Sequence, residues 1–240
     1  MPATSPNPQR GVPAEWAGDP SRELAGLVVD WGGVLTAPLD SAIGDWIRAD
    51  GIDHQHFRDV MRRWVGARPG EAADDGPDFD TPVHRLERGE LDRGQFERLL
   101  ADELATLGST VSAEGLIGRM LGGLQELDPG MVDLLGRARA AGLRVALLSN
   151  SWGNSYPAQV RNGLFDAVVI SGEVGMRKPE ERIYRHAADL IGLSTAECVM
   201  LDDLPHNVAG AARAGMIGVQ HRSYDQTLAE LEVLFDRPLH

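Results

Sequence analysis

The chain has 240 residues, 42% of them hydrophobic, and a formal net charge of −13; that length suits one large domain or a domain carrying an insert. The acidic balance excludes non-specific nucleic-acid binding, which needs a basic footprint, and disfavours adhesion to anionic membrane surfaces. A single cysteine, Cys198, excludes an intrachain disulfide, and no apolar run approaches a membrane span.

Residues 1–22 are rich in Pro, Ser and Gly and lack the apolar core of a signal peptide; they predict a disordered tail on a cytoplasmic protein. Leu27, Val28 and Val29 then form a short apolar run that reads as a buried strand and ends on Asp30. A carboxylate at that place is costly unless something balances it. Two glycines, Gly32 and Gly33, follow.

From 39 to 126 the segments "DSAIGDWIRAD", "DHQHFRDVMRRWV", "TPVHRLERG", "DRGQFERLLADELATLG" and "SAEGLIGRMLGGL" all read as helices, and "GARPGEAADDGPDFD" reads as a loop. Strand and helix signals alternate after that. "DPGMVDLLGRARAAG" has Asp128 as N-cap, Pro129 at the first helical position and Gly142 as the stop. "LRVALLSNS", "FDAVVISGE", "CVMLDD" and "MIGVQ" read as strands. Between and after them, "KPEERIYRHAADLIG", "PHNVAGAARAG" and "DQTLAELEVLF" read as helices. The pattern predicts an α/β fold: a doubly wound, Rossmann-like parallel sheet at 23–38 and 127–240, with a helical domain inserted at 39–126.

In such a sheet, ligands bind beyond the carboxyl ends of the strands. Four strand ends carry polar groups: Asp30, Ser149 with Asn150, the loop holding Lys178, and Asp202 with Asp203. Lys178 is the only lysine beside 22 arginines, and a compact ammonium does not interchange with a planar guanidinium. The adjacent acids would repel each other unless a cation lies between or beside them.

In order and spacing, "VVDWGGVLT", "VALLSNS", "GMRKPEERIY" and "VMLDDLPHNVAGAARAGM" resemble the four motifs of the haloacid dehalogenase superfamily, most of whose members are phosphatases. The form "SGEVGMRKPEERIY" is similar to the subgroup that includes the N-terminal phosphatase domain of soluble epoxide hydrolases. The resemblance implies Asp30 as nucleophile, Lys178 as its cationic partner, and Ser149 and Asn150 as phosphate ligands. It implies Mg²⁺ held by Asp30, the Gly32 carbonyl and Asp203, with Asp202 sharing that duty or orienting the others. The helical insert takes the place of the family's cap. The expected partner is a small phosphorylated metabolite, with no nucleic acid and no membrane.

One position departs from the motif. Family phosphatases usually carry a second aspartate two places after the nucleophile, which protonates the leaving group, although some resemble this chain in having glycine there; here that residue is Gly32. A positioned acid is worth typically ~10²–10⁴-fold. Three readings follow. One is a phosphatase for substrates with good leaving groups. Another is a weakly catalytic phosphate-binding or regulatory module. The third is a metal-independent dehalogenase, against which the acid pair argues. Phosphonoacetaldehyde hydrolases share a similar first motif but need a lysine in the cap, and this insert has none. His206 is a candidate substitute for the missing acid, or a plain helix-start residue. Trp31 and Trp152 either wall the pocket or pack. His54, His56 and His84 show no metal-ligand spacing. Asp74, Asp75, Asp78 and Asp80 would reach a substrate only if their loop folded over the site.

Overall fold

The computed structural model describes residues 23–65, 81–152, 156–157 and 163–240. The expected tail at 1–22 and the acids Asp74, Asp75, Asp78 and Asp80 lie outside them.

Five parallel strands form one sheet: β1 (Gly26–Val29), β2 (Arg144–Ser149), β3 (Ala167–Ile170), β4 (Cys198–Asp202) and β5 (Ile217–Gln220). Their spatial order is β3-β2-β1-β4-β5. Successive strands are laid to one side of β1 and then to the other, so the order reverses between β1 and β4, the place where open α/β sheets bind ligands. The strand sequences are nearly unbroken apolar runs because both faces are covered. In β1, Leu27 and Val29 pack on one side with Met131 and Leu134 of α6 (Pro129–Ala140) and Leu231 of α10 (Tyr224–Phe235). Val28 points the other way, toward Ile183 and Tyr184 of α8 (Glu181–Leu190) and Ala211 of α9 (Pro205–Arg213).

The helix signals act as the local chemistry requires. Asp128 accepts the Met131 N–H at 3.0 Å and Pro129 occupies the first turn of α6. Two boundaries differ from the pattern. The segment after Ile170 is not strand but one helical turn, α7 (Ser171–Val174), closed by Gly175 at φ 65°. Helix α8 starts at Glu181 rather than at Pro179, because Lys178 and Pro179 belong to the loop that enters the site.

Residues 39–125 run through α1 (Leu39–Ala49), α2 (His54–Val65), α3 (Pro82–Glu87), α4 (Arg93–Leu107), α5 (Leu116–Met120) and a 3₁₀ turn (Gly122–Gln125), with no strand among the described residues. They enclose their own apolar cluster, which includes Trp46, Phe57, Trp64, Phe96, Leu100 and Met120. Helix α4 is delimited by a capping box between Asp92 and Gln95 and by Gly108 at φ 102°. The chain leaves the sheet and returns to it side by side: Thr36 bridges Leu127, and the Asp128 N–H reaches Leu35 O at 2.8 Å. Among the described residues, no helix is long and apolar enough to cross a membrane.

Candidate active site

Register brings the chemistry together. Val29 lies opposite Leu201, so the next residues, Asp30 and Asp202, stand level at the ends of the two central strands. Lys178 enters from the loop after α7 and is 1% exposed. Its Nζ lies 2.8 Å from Asp30 Oδ1 and 2.6 Å from Asp202 Oδ2. Asp30 Oδ1 also accepts the Trp31 N–H at 2.7 Å. Asp202 is fully buried and accepts from the Leu204 N–H at 2.9 Å and from Asn207 Nδ2 at 3.0 and 3.2 Å. Its oxygens are thus engaged by protein donors, and it orients Lys178 more than it offers an open ligand.

Burial first, and then the neighbouring charges, set the direction in which each group is shifted. Burial pushes the Asp30 carboxyl up to about 7; Lys178 opposes this, and the charges of Asp202 and Asp203 reinforce it. Burial and the Asp202 charge push Asp203 up to about 6. Burial alone would lower the Lys178 ammonium, but Asp202 and Asp30 outweigh it and hold the group well above its ordinary range. Lys178 is thus set against the three acids Asp30, Asp202 and Asp203. Ligand atoms of Asp30, Asp202 and Asp203 all lie within 4.8 Å of one another, and hard oxygen donors at this spacing suit Mg²⁺. Asn207 Oδ1, beside Asp202, is buried without a hydrogen-bond partner among the described residues.

The two glycines after Asp30 serve different ends. Gly33 has φ +71°, and a Cβ there would overlap the Asp203 carboxylate. Gly32 has no positive φ and open space where a Cβ would sit. The backbone demands the second glycine but not the first.

Ser149, at the end of β2, is 2% exposed. Its Oγ accepts a hydrogen bond from the Tyr156 hydroxyl at 2.8 Å. Burial pushes the Tyr156 phenol up to about 12, so it remains a donor. Asn150 uses its side chain to fasten the lysine loop: Nδ2 donates to Lys178 O at 3.0 Å, and the Lys178 N–H donates to Oδ1 at 2.8 Å.

These groups form the floor of a cavity of about 910 Å³ between the sheet edge and the helical insert. Most of its wall is apolar, including Ile43, Phe57, Met61, Val83, Ile117 and Leu121 from the insert. Trp31 and Trp152 do both things expected of them: each borders the cavity and each packs, Trp31 edge-on to Tyr156 at 5.4 Å and Trp152 against Phe96 at 5.5 Å. His206, His84 and His54 also border it, whereas His56 bonds Ser109 at 2.9 Å. Sequence reasoning missed Tyr156, Glu87 and Arg177, all of which line the cavity. No spacing rule marks Tyr156 or Glu87, which reach the site by packing; Arg177 lies inside the "GMRKPEERIY" motif, beside Lys178.

Comparison with known proteins bears on the family and the fold. Phosphatase MT3486 of Mycobacterium tuberculosis is 30% identical over 208 residues, covering 80% of this chain and 85% of that protein. Sesquiterpene phosphatase astK of Aspergillus oryzae is 29% identical over 155 residues, covering 62% of this chain and 77% of that one. In fold, the chain is similar to a haloacid dehalogenase family enzyme of Bacteroides thetaiotaomicron, crystallised with magnesium and inorganic phosphate. The match has a TM-score of 0.56 at 18% identity and covers 83% of this chain and 94% of that one. The family model for haloacid dehalogenase-like hydrolases matches residues 24–215. With the strand-end acids, the buried lysine and the helical insert in place, this chain belongs to the haloacid dehalogenase-like hydrolases.

Proposed function

We propose that this hydrolase is a Mg²⁺-dependent phosphatase that forms an aspartyl-phosphate at Asp30, and that its substrates are phosphomonoesters with an apolar leaving group that departs without a proton. The observation that carries this reading is the charged floor of Asp30, Lys178 and Asp203 beneath a largely apolar cavity. The floor suits a phosphoryl group and the walls suit its ester. Residues 39–126 act as the substrate-selecting cap. That a relative is named a sesquiterpene phosphatase supports the apolar preference.

Asp30 and Asp203, with the Gly32 carbonyl, would hold the metal. When bound, Mg²⁺ neutralises the carboxylates and polarises the phosphoryl oxygens. The rest belongs to the protein. Asp30 attacks phosphorus, the phosphorus–oxygen ester bond breaks, and the leaving oxygen keeps the electron pair. Lys178 lowers the charge of the nucleophile and fixes its direction. Ser149, which accepts from Tyr156, has its own proton free to donate to a phosphoryl oxygen, and the Asn150 backbone N–H adds a second donor. Water then attacks phosphorus, restoring Asp30 and releasing phosphate. No group at position 32 supplies a proton to the leaving oxygen, so leaving oxygens of low pKa are favoured.

The test is turnover of 4-nitrophenyl phosphate with Mg²⁺ and with EDTA, in wild type and Asp30→Asn. The expected result is activity only with metal and only with Asp30. Phosphate binding without turnover would instead favour a phosphate-binding module. Halide release from a 2-haloacid in EDTA would favour a dehalogenase.

A further inference from the structure

The loop at 149–152 carries the phosphate donors, and its far end is buried in the helical insert. Trp152 belongs to the core by sequence, yet its ring packs against Phe96 at 5.5 Å, within the apolar cluster of the insert. Its Nε1–H donates to Glu87 Oε1 at 3.0 Å. Glu87 ends α3, is 7% exposed, and directs its other oxygen back at the core: Arg177 Nε lies 2.6 Å from Oε2, and Asn150 Nδ2 lies 3.4 Å away. Arg177 and Asn150 adjoin or hold Lys178. One carboxylate of the insert therefore joins the phosphate loop to the lysine loop, and both Glu87 and Trp152 border the cavity.

We infer that Trp152 and Glu87 are positioning residues that couple occupancy of the apolar cavity to placement of the phosphate-binding loop. The proposal rests on the phosphatase reading above. A leaving group that reaches the apolar wall holds the insert against Trp152, and through it sets Ser149 and Asn150 for the phosphoryl group. A substrate too small to reach that wall meets the same floor but does not gain this placement. Binding energy from the remote part of the substrate then appears in kcat and not only in KM.

The experiment compares 4-nitrophenyl phosphate, which carries an apolar ring, with acetyl phosphate, which does not. Both leaving groups depart without a proton, so the missing acid affects neither. Trp152→Phe keeps a ring against Phe96 and deletes the N–H donor to Glu87. The expected result is a roughly 10-fold fall in kcat for 4-nitrophenyl phosphate, within the usual range of coupling between sites. The kcat for acetyl phosphate and the inhibition constant of inorganic phosphate should stay within about twofold of wild type on the same grounds. Glu87→Gln keeps an oxygen for Trp152 but removes the charge facing Arg177. It should shift the same ratio in the same direction, and it serves if Trp152→Phe does not fold. A purely structural role would lower both substrates by one factor; that outcome, or no change in either, overturns the inference. Failure of wild type to turn over either substrate would instead overturn the phosphatase reading.

Discussion

At Gly33 the backbone turns through φ +71° against the Asp203 carboxylate, whereas Gly32 has ordinary φ and free space around it. A Cβ at 32 therefore meets neither strain nor overlap, which suits Gly32→Asp as a test of the missing acid. It should fold with an unchanged thermal midpoint. It should raise kcat/KM for alkyl phosphates by up to roughly 10²-fold more than for aryl phosphates, the usual worth of a positioned acid. An equal factor across a leaving-group series would place the proton on another residue, such as His206. The acids give a second prediction. The folded pKa values of Asp30 and Asp203, about 7 and about 6, lie above the ordinary 3.8. The folded state therefore binds more protons than the unfolded chain between these values. This contribution to stability is full at low pH and is lost as pH rises through the folded values. In EDTA, the thermal midpoint should fall from pH 5 to pH 8. Mg²⁺ should raise it more at pH 8 than at pH 5, since metal and protons compete for the same oxygens. Asp203→Asn should weaken both trends in a melting series.

Helix α9 is the element whose fit governs the lysine loop. Its Gly210 faces Pro179 and Tyr184: a Cβ there would stand 2.6 Å from Pro179 Cβ and 2.9 Å from the Pro179 carbonyl oxygen. Tyr184 in turn donates to Asn207 O at 2.8 Å, so α8, α9 and the 178–179 loop are packed as one unit. Alanine is normally better than glycine in a helix by about 0.5–1 kcal/mol. Overpacking costs typically about 1–3 kcal/mol, and the neighbour here is backbone that cannot swing aside. Gly210→Ala should therefore destabilise, and it should lower kcat by displacing Lys178. Chemical denaturation and turnover measured together check this. A more stable and fully active variant would mean that the contact yields.

Across the whole molecule, two apolar clusters lie on the faces of the sheet and a third lies inside the insert. Two chain crossings, joined at the Thr36–Leu127 bridge, connect insert and sheet. Side-chain links add to them: Trp152 packed against the insert cluster, the buried Glu87–Arg177 pair, and Trp31 Nε1 donating to Leu124 O at 3.3 Å. Both members of the Glu87–Arg177 pair are under 10% exposed, at 9% and 8%. Breaking a buried pair of this kind by removing one partner costs up to about 3–5 kcal/mol. Wild type should unfold in one cooperative transition. Glu87→Ala should lose stability on that scale and broaden or split the transition in calorimetry. Unchanged melting would mean that Arg177 finds another partner.

The order of strands and helices was legible in the sequence because it depends on neighbours along the chain: apolar runs, the Asp128–Pro129 start of α6, the glycines after α4 and α6. The polar strand ends at Asp30, Ser149 and Asp202 were legible for the same reason, since a parallel sheet brings those ends to one edge. That Asp202 is bound up with Lys178, Leu204 and Asn207 was not legible, because two adjacent acids look alike until their partners are placed. Nor was the difference between Gly32 and Gly33, which lies in φ and in the approach of Asp203 from 170 residues away. Glu87 and Tyr156 lie in no motif, and Arg177, though inside one, shows its role only through its contact with Glu87. Glu87 meets Arg177 across 90 positions of sequence, and only the packing of α3 against the sheet edge decides that contact. The sequence by itself determined the fold class and the charged floor. The tertiary structure decided the apolar cavity above it and the ties between insert and phosphate loop, because these depend on which distant surfaces are pressed together.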